Sequence, residues 1–288
     1  MERNRIYTKV WIFTALLLAG IMNGCTERDL SERPTDGPLK INLEWPAEVS
    51  GAQLWFYDSE GNLYQTVSCD ADGYECRLPA GEYTVLVINR DGVHTAMDGT
   101  EQEGTCCVEA EYAVEGENIL EQVDHVYCTG MGNVVIEPGN IATEITLEPK
   151  DVVKHLSFNI DPNYIDRIES MEIHMTGVTP AVYVENGVAV QRAAGEVVSE
   201  VVEEGGTYTA GMSVFGWQGE NIITVVVRYN DGSEEVTLPI DISDELGALP
   251  EDGGEINIVL ELPDGGEIAI TVSVQGWDDS GTGGGIVI

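Results

Sequence analysis

Five cysteines beyond residue 30 are the residues of this 288-residue chain whose chemistry depends most on spacing. They are Cys69, Cys76, Cys106, Cys107 and Cys128. The first two flank DADGYE, a stretch typical of a turn, so a disulfide that closes a β-hairpin is the first pairing to expect. A disulfide between Cys128 and either Cys106 or Cys107 is the second pairing to expect. Because five is odd, one thiol stays free or pairs between molecules.

A sixth cysteine, Cys25, lies just after an apolar run that spans residues 10–22. Three bases ahead of thirteen uncharged residues are typical of a secretory signal. A helix of that length, about 20 Å, is shorter than the roughly 30 Å hydrocarbon core of a bilayer. The Gly24-Cys25 junction resembles a bacterial lipoprotein box, in which the cysteine receives diacylglycerol and begins the mature chain. We therefore predict a palmitate-type lipid on Cys25, with a plain cleaved signal or an uncleaved anchor as the alternatives.

The remaining residues that carry chemistry form no recognisable site. His94, His125, His155 and His174 lack the spacing of metal ligands, and there is no CxxC. The DADGYE stretch (70–75) begins like a calcium loop but lacks the later ligands of an EF-hand, which favours a tight acidic turn. No GxSxG, HExxH, Walker loop or GxGxxG after a strand is present. We expect no enzyme activity, no cofactor and no metal.

The charge is strongly acidic, with 13 Lys and Arg against 51 Asp and Glu and a formal net charge of −38. Such a chain repels nucleic acid, so we expect no nucleic-acid partner. With so many acids, carboxylate pairs suited to glycoside hydrolysis occur at any spacing and carry no information. A solvated exterior explains the charge, and a surface that depends on divalent cations is the alternative.

Apolar residues alternate with polar ones at period two, which predicts strands. Turn signals such as DSEGN, YNDGS and LPDGG separate these strands, as in antiparallel β-sandwiches. The clearest runs are LKINLEW (39–45), EYTVLVIN (82–89), NIITVVVRY (221–229), EINIVLEL (255–262) and EIAITVSV (267–274). Two stretches, 117–124 and 162–170, could each form a short helix.

The sequence suggests five successive segments. We expect a signal peptide over residues 1–24, a lipidated flexible tether over 25–37, an N-terminal β-sandwich domain over 38–150, a C-terminal one over 151–275, and a Gly-rich tail over 276–288. The boundary falls at EPKD, between two strand-like runs. The two domains begin alike, each with an alternating strand followed by a hairpin.

Several of these stretches occur in an order that resembles the FimB/Mfa2-like fimbrillin proteins of Bacteroidetes. They are GAQLWFYDSEGNLYQTV, CRLPAGEYTVLVIN, VVKHLSFNID, IESMEIHMTGV and VSVQGWDDSGTGGGIVI. The resemblance implies an all-β protein with two tandem transthyretin-like antiparallel β-sandwich domains after a lipoprotein signal peptide. It also implies an outer-membrane lipoprotein that is a structural anchor or accessory subunit of fimbriae in cell adhesion, with other fimbrial subunits as partners. Glu27 and Asp29 follow Cys25 closely, and acidic residues there resemble surface-export signals, so we expect the protein to lie on the cell surface. A different class of function stays open: a surface lipoprotein that binds glycan or a host ligand as part of an uptake system.

Both ends of the mature chain bear on the anchor role. In the resembled family, stalk subunits lose their first strand to a protease that cuts after arginine, whereas anchor subunits keep theirs. Here Pro34 blocks a cut after Arg33, and a cut after Arg28 would leave the first strand attached, so we expect that strand to remain. The chain ends on three apolar residues, Ile286, Val287 and Ile288. They either fold back as an edge strand or join a neighbouring subunit's sheet as a donated strand.

Overall fold

The structure, a computed structural model, describes residues 34–114, 116–162, 167–250, 253–261 and 269–276. The described residues form twenty-two strands and one short helix, so the predicted all-β class is confirmed. The strands up to residue 151 are called the first half here, and those from residue 154 onward are called the second half.

Eleven strands make up the first half. They are β1 (Asp36–Leu43), β2 (Ala52–Asp58), β3 (Leu63–Cys69), β4 (Gly73–Pro79), β5 (Gly81–Asn89), β6 (Thr95–Asp98), β7 (Cys107–Ala110), β8 (Ile119–Leu120), β9 (Tyr127–Ile136), β10 (Thr143–Leu147) and β11 (Lys150–Asp151). Two sheets pack face to face, one in the order β10-β1-β4 and the other in the order β11-β9-β5-β2-β3. This packing of two mainly antiparallel sheets makes the first half a β-sandwich.

The second half contains the remaining strands and the helix. They are β12 (Lys154–Pro162), β13 (Ile168–Val178), β14 (Ala181–Tyr183), β15 (Gly195–Glu200), β16 (Val202–Glu204), β17 (Thr207–Val214), β18 (Ile222–Tyr229), β19 (Glu234–Val236), β20 (Ile240–Asp241), α1 (Ser243–Gly247), β21 (Gly253–Glu261) and β22 (Ala269–Gly276). Its sheets have the orders β16-β17-β12-β21-β22 and β19-β18-β13-β15-β8, and β20 also pairs with β18. The second half is therefore also a β-sandwich.

The two sandwiches share one arrangement around their first strand. In the first half β1 pairs in parallel with β10 and antiparallel with β4. In the second half β12 pairs in parallel with β21 and antiparallel with β17. The similar openings of the two halves, noted from the sequence, thus correspond to equivalent positions in the two sheets.

The period-two pattern places side chains as expected. In β1, Leu39, Ile41 and Leu43 are buried in the core of the first sandwich, while the residues between them lie outward. The apolar residues of β5 are buried on both faces, because one face packs in this core and Leu86 and Ile88 pack in a second core. That second core also contains the interior of the second sandwich, so apolar packing continues from one half into the other.

The two halves are also joined by strand pairing. Strands β6 and β7 of the first half form a three-stranded sheet with β14 of the second half, in the order β14-β7-β6, called the junction sheet here. Strand β8 pairs in parallel with β15, at the edge of a second-half sheet. The prediction that residues 117–124 could form a short helix is therefore wrong. Ile119 and Leu120 form a strand that pairs with β15 instead.

Candidate functional site: the first strand and the junction of the halves

The first strand is fully built into its sheet. The side chains of Leu39 and Ile41 are 1% and 2% exposed in the core of the first sandwich. The backbone of β1 lies very close to Gly73 of β4. A Cβ on Gly73 would lie 2.1 Å from the carbonyl oxygen of Ile41. Only glycine fits there, since the φ of Gly73 is also +137°. This close approach ties β4 tightly to β1.

Ion pairs on the outer face hold β1 to the strands on both sides. The Nζ of Lys40 lies 2.6 Å from a carboxylate oxygen of Glu144 in β10. The guanidinium of Arg77 in β4 lies 2.9 Å from Asp36 and donates a hydrogen bond of 2.8 Å to the carbonyl of Gly139. The hydrogen bond from Arg77 lowers the pKa of the Asp36 carboxyl. The strand is thus held on both sides, to β10 and to β4.

A cluster of charged side chains joins the halves at the junction sheet. Arg192, from the second half, pairs with Asp98 of β6 at 2.8 Å and also with Glu109 of β7. Its Nη2 lies 3.6 Å from the Sγ of Cys107. We call these four residues the Arg192 cluster. The hydrogen bond from Arg192 lowers the pKa of Asp98, so the pair is charged at neutral pH.

The Arg192 cluster has the donor atoms of a metal site, yet its centre is taken by a cation of the protein. Among the described residues, Asp98, Cys107 and Glu109 are the one group whose three ligand atoms lie within 4.8 Å of one another. The guanidinium of Arg192 contacts all three. Burial raises the pKa of the Cys107 thiol, which disfavours the thiolate that binds metals. The arrangement is suited to holding the two halves together.

The five cysteines beyond residue 30 are free thiols in the structure. Cys69 and Cys76 lie on strands of opposite sheets, since β3 pairs with β2 and β4 pairs with β1. They therefore do not face each other across one hairpin ladder. Cys106 and Cys128 are both buried in the core that extends between the halves. Burial raises their pKa values to about 11 and about 12. Disulfide pairing among the five stays a prediction.

The histidines are scattered over the structure. His94 and His125 lie in exposed loops with positive φ, and His155 contacts the hydroxyl of Ser213 at 3.0 Å. His174 in β13 lies 2.6 Å from Glu196 of the neighbouring strand β15. These contacts are local pairings within one loop or sheet.

The first three residues of the DADGYE stretch, 70–72, form the tight turn between β3 and β4, and the last three begin β4. The backbone N–H of Gly73 bonds to the carbonyl of Asp70, and the indole N–H of Trp45 donates a 2.9 Å hydrogen bond to the carbonyl of Ala71. Trp45, Trp55 and Trp217 all pack against the two cores. The described tryptophans are thus used for packing, as expected from their places in or beside strands.

Two sequence-predicted sites lie outside the described residues. They are the lipidation site at Cys25 and the C-terminal residues Ile286, Val287 and Ile288. Among the residues that the structure does describe, no helix is long and apolar enough to cross a membrane.

The Arg192 cluster is the feature that sequence reasoning missed. Arg192 is separated from its acidic partners by 94 and 83 residues. No local pattern connects positions so far apart, and an acidic chain offers many equivalent partners. The one signal in the sequence was the small number of Lys and Arg residues. In such an acidic chain, each of them is a candidate for a specific ion pair with Asp or Glu.

Two β-sandwiches with matching first strands, joined by a shared sheet, define a tandem-sandwich fold, and solved structures of bacterial proteins resemble it. A candidate adhesin from Bacteroides ovatus matches with a TM-score of 0.64 at 18% identity, over 84% of this chain and 94% of that one. The fimbrial anchor protein Mfa2 from Porphyromonas gingivalis matches with a TM-score of 0.58 at 13% identity, over 84% and 98% of the two chains. At these identities the similarity concerns the fold.

The family is shown by the sequence. The model of the fimbrillin-A associated anchor proteins Mfa1 and Mfa2 matches residues 42–279, and the chain belongs to this family. The resemblance noted from the sequence is confirmed. A further structural neighbour, a candidate polysaccharide-binding protein from Bacteroides thetaiotaomicron, matches with a TM-score of 0.55 at 11% identity, over 82% of this chain and 95% of that one. Among curated protein sequences, none matches the chain closely enough to count as a relative.

Proposed function

We propose that this protein is an anchor or accessory subunit of fimbriae, attached to the outer membrane through a lipid on Cys25 and acting in cell adhesion. Membership of the anchor-protein family over residues 42–279 supports the fimbrial role. The observation that carries the anchor role is the first strand, which is present and central in its sheet.

The position of β1 determines whether the first sandwich can accept a strand from another subunit. A subunit that accepts a donated strand needs a vacant place in its sheet, with apolar pockets at alternate positions. In this sandwich Leu39, Ile41 and Leu43 fill those pockets themselves. The first sandwich therefore has no groove to offer at this place. A subunit of this kind joins a fibre by giving a strand to a neighbour.

The C-terminal residues are the strand that we propose is given. Ile286 and Ile288 would lie on one face of an extended strand and Val287 on the other. A glycine-rich stretch, residues 281–285, precedes these residues in the sequence, and glycine restricts the backbone less than any other residue. In the neighbouring subunit, the two isoleucines would occupy pockets like those that β1 fills here.

A pull-down from intact cells tests this function. Full-length protein with an internal epitope tag is expected to recover fimbrial subunits, and deletion of residues 278–288 is expected to abolish that recovery while the protein stays folded. A finer comparison replaces Ile286 and Ile288 by serine and, as a matched control, Val287 by serine. We expect the double variant to lose the partners and the control to keep most of them.

Other outcomes would contradict the proposal. Unchanged recovery of fimbrial subunits after the deletion would refute strand donation by the tail. Recovery of outer-membrane transporters and glycoside hydrolases in place of fimbrial subunits would favour the alternative, a surface protein that captures glycan for uptake.

A further inference from the structure

His174 lies on the outer face of the second sandwich, between two acids. Its neighbours along β13, Ile173 and Met175, are buried in the core, so the imidazole points away from the core. The Nδ1 atom of the ring lies 2.6 Å from a carboxylate oxygen of Glu196 in the next strand, β15. The Nε2 atom lies 3.7 Å from Oε2 of Glu172, which precedes it on β13. One carboxylate therefore faces each nitrogen of the ring.

The Nε2 atom has no hydrogen-bond partner. Among the described residues, it is the one side-chain nitrogen or oxygen atom that is buried without a hydrogen bond. An ionised carboxylate only accepts hydrogen bonds, so the short contact with Glu196 requires a proton on Nδ1. In the neutral ring, Nε2 then carries a lone pair, and this lone pair faces a second acceptor, Glu172. Buried polar groups are normally paired, so the neutral ring fits this place poorly.

The charged ring removes this mismatch. An imidazolium has an N–H donor at both nitrogens, so Nε2 can donate to Glu172 while Nδ1 keeps its bond to Glu196. The 3.7 Å separation has only to shorten slightly to reach hydrogen-bond range. Hydrogen bonds between charged partners are shorter and stronger than those between neutral ones. The surroundings of His174 are therefore better suited to the imidazolium than to the imidazole.

The ring is also one link in a row of charges that crosses four strands. Glu234 of β19 pairs with Arg228 of β18 at 3.0 Å, and Arg228 pairs with Oε1 of Glu172 at 2.6 Å. The other oxygen of Glu172 faces His174, which reaches Glu196 of β15. With a charged ring, the signs in this row alternate from one end to the other. With a neutral ring, three acids share one base.

The other groups around the ring add to the excess of acids. The residues directly opposite His174 are uncharged, Val198 in β15 and Thr224 in β18. On its inner face, β13 meets the opposite sheet through apolar core residues. The remaining charged residues of β13, β15, β19 and β20, and of the segment 117–121 beyond β15, are all acids: Glu169, Glu200, Glu235, Asp241, Glu117 and Glu121. Nearby negative charges favour the charged form of a histidine.

We propose that His174 makes the second sandwich sensitive to pH: proton uptake by its ring completes the row of ion pairs across β19, β18, β13 and β15 and stabilises this sheet. Histidine is the side chain whose charge ordinarily changes between pH 5 and 8. The folded chain holds the proton through contacts that the unfolded chain lacks. The added stability is therefore gained as the pH falls through this range and is lost as the pH rises through it.

Thermal unfolding of the full-length protein in detergent, at pH 8 and at pH 5.5, tests the proposal. From the higher to the lower pH, the midpoint of the wild type should rise by about 2–4 °C relative to that of His174→Gln. His155→Gln is the matched control, since His155 is exposed and contacts the hydroxyl of Ser213, not an acid. It should follow the wild type. Equal pH dependence of His174→Gln and the wild type would overturn the proposal.

A second pair of variants separates this contact from overall charge. E172Q keeps an oxygen for Arg228 and offers an amide N–H to the neutral ring, so it should lose most of the gain at pH 5.5. E200Q makes the same change in charge at an exposed acid directly opposite Glu172 on β15, and it should keep most of the gain. An equal loss in both variants would mean that the total charge, and not the contact with Glu172, sets the pH dependence.

The imidazole nitrogens report the contact directly. In ¹⁵N NMR spectra, the ring signal that is missing in His174→Gln belongs to His174. At pH 8 this ring should be neutral with its proton on Nδ1, because Nδ1 is the nitrogen that donates to Glu196. At pH 5.5 both nitrogens should carry a proton. A neutral ring with its proton on Nε2, or a ring whose nitrogens do not change between the two pH values, would overturn the proposal.

Discussion

The burial of β1 makes a quantitative prediction about Ile41. Its side chain is 2% exposed and packs in the core of the first sandwich between the two sheets. Ile41→Ala removes three carbon atoms and leaves a cavity that the surrounding strands can close only in part. Such substitutions lower the free energy of unfolding by about 2–5 kcal/mol. Because β1 is clamped on both sides, we expect a value of about 3 kcal/mol or more within that range.

This loss converts to a change in unfolding temperature. For a chain of this size, 1 kcal/mol lowers the midpoint of thermal unfolding by about 2–4 °C. At about 3 to 5 kcal/mol, Ile41→Ala should therefore lower the midpoint by about 6–20 °C. Circular dichroism of the purified protein at several heating rates measures this, and agreement between the rates shows that the unfolding is near equilibrium.

The adjacent residue provides the matched control. Lys40 lies on the same strand but on its outer face, in an exposed pair with Glu144. Lys40→Ala should change the midpoint far less than Ile41→Ala, since exposed ion pairs contribute little. Equal and small effects of the two substitutions would mean that β1 does not fill the sandwich, and the case for an anchor that keeps its first strand would fail.

Two further predictions concern the tether and the junction. Cys25→Ala should abolish labelling by a palmitate analogue and release the protein from membranes, and label retained by the variant would mean that the lipidation site was misassigned. Arg192→Gln should lower the unfolding temperature at pH 7, because it leaves Asp98 and Glu109 without their shared cation. Arg192 lowers the folded-state pKa of Asp98, so the stability from this pair is present above the unfolded pKa of about 3.9 and is lost as the pH falls through the folded value. The difference between variant and wild type should therefore shrink below pH 4, and a difference that stays constant down to pH 2.5 would contradict this account.

Strands that alternate cleanly could be predicted from the sequence. The runs that correspond to β1, β5, β18, β21 and β22 were all recognisable, because their apolar residues recur at period two or in a short unbroken run bounded by turn residues. The order of the strands in the sheets could not be predicted the same way. Parallel pairing of β1 with β10 joins residues about a hundred positions apart, and nothing in either strand specifies the other.

The segment between β7 and β9 shows why local patterns fail. Residues 117–124 contain Glu, Leu and Gln, which favour a helix in isolation. In the folded chain Ile119 and Leu120 lie beside β15, and the hydrogen bonds of that sheet outweigh a helical preference of a few tenths of a kcal/mol per residue.

The junction sheet has a consequence for the order in which the chain folds. Strand β7 lies between β6 and β14, and β14 begins only at Ala181, seventy residues after β7 ends at Ala110. A chain that emerges from its N-terminus can form the first sandwich, but β7 has an unpaired edge until the second half arrives. Exposed edges of this kind invite pairing with other chains during folding. During folding, the edge of β7 can therefore pair with strands of other chains. This exposure ends when the second half folds and β14 pairs with β7.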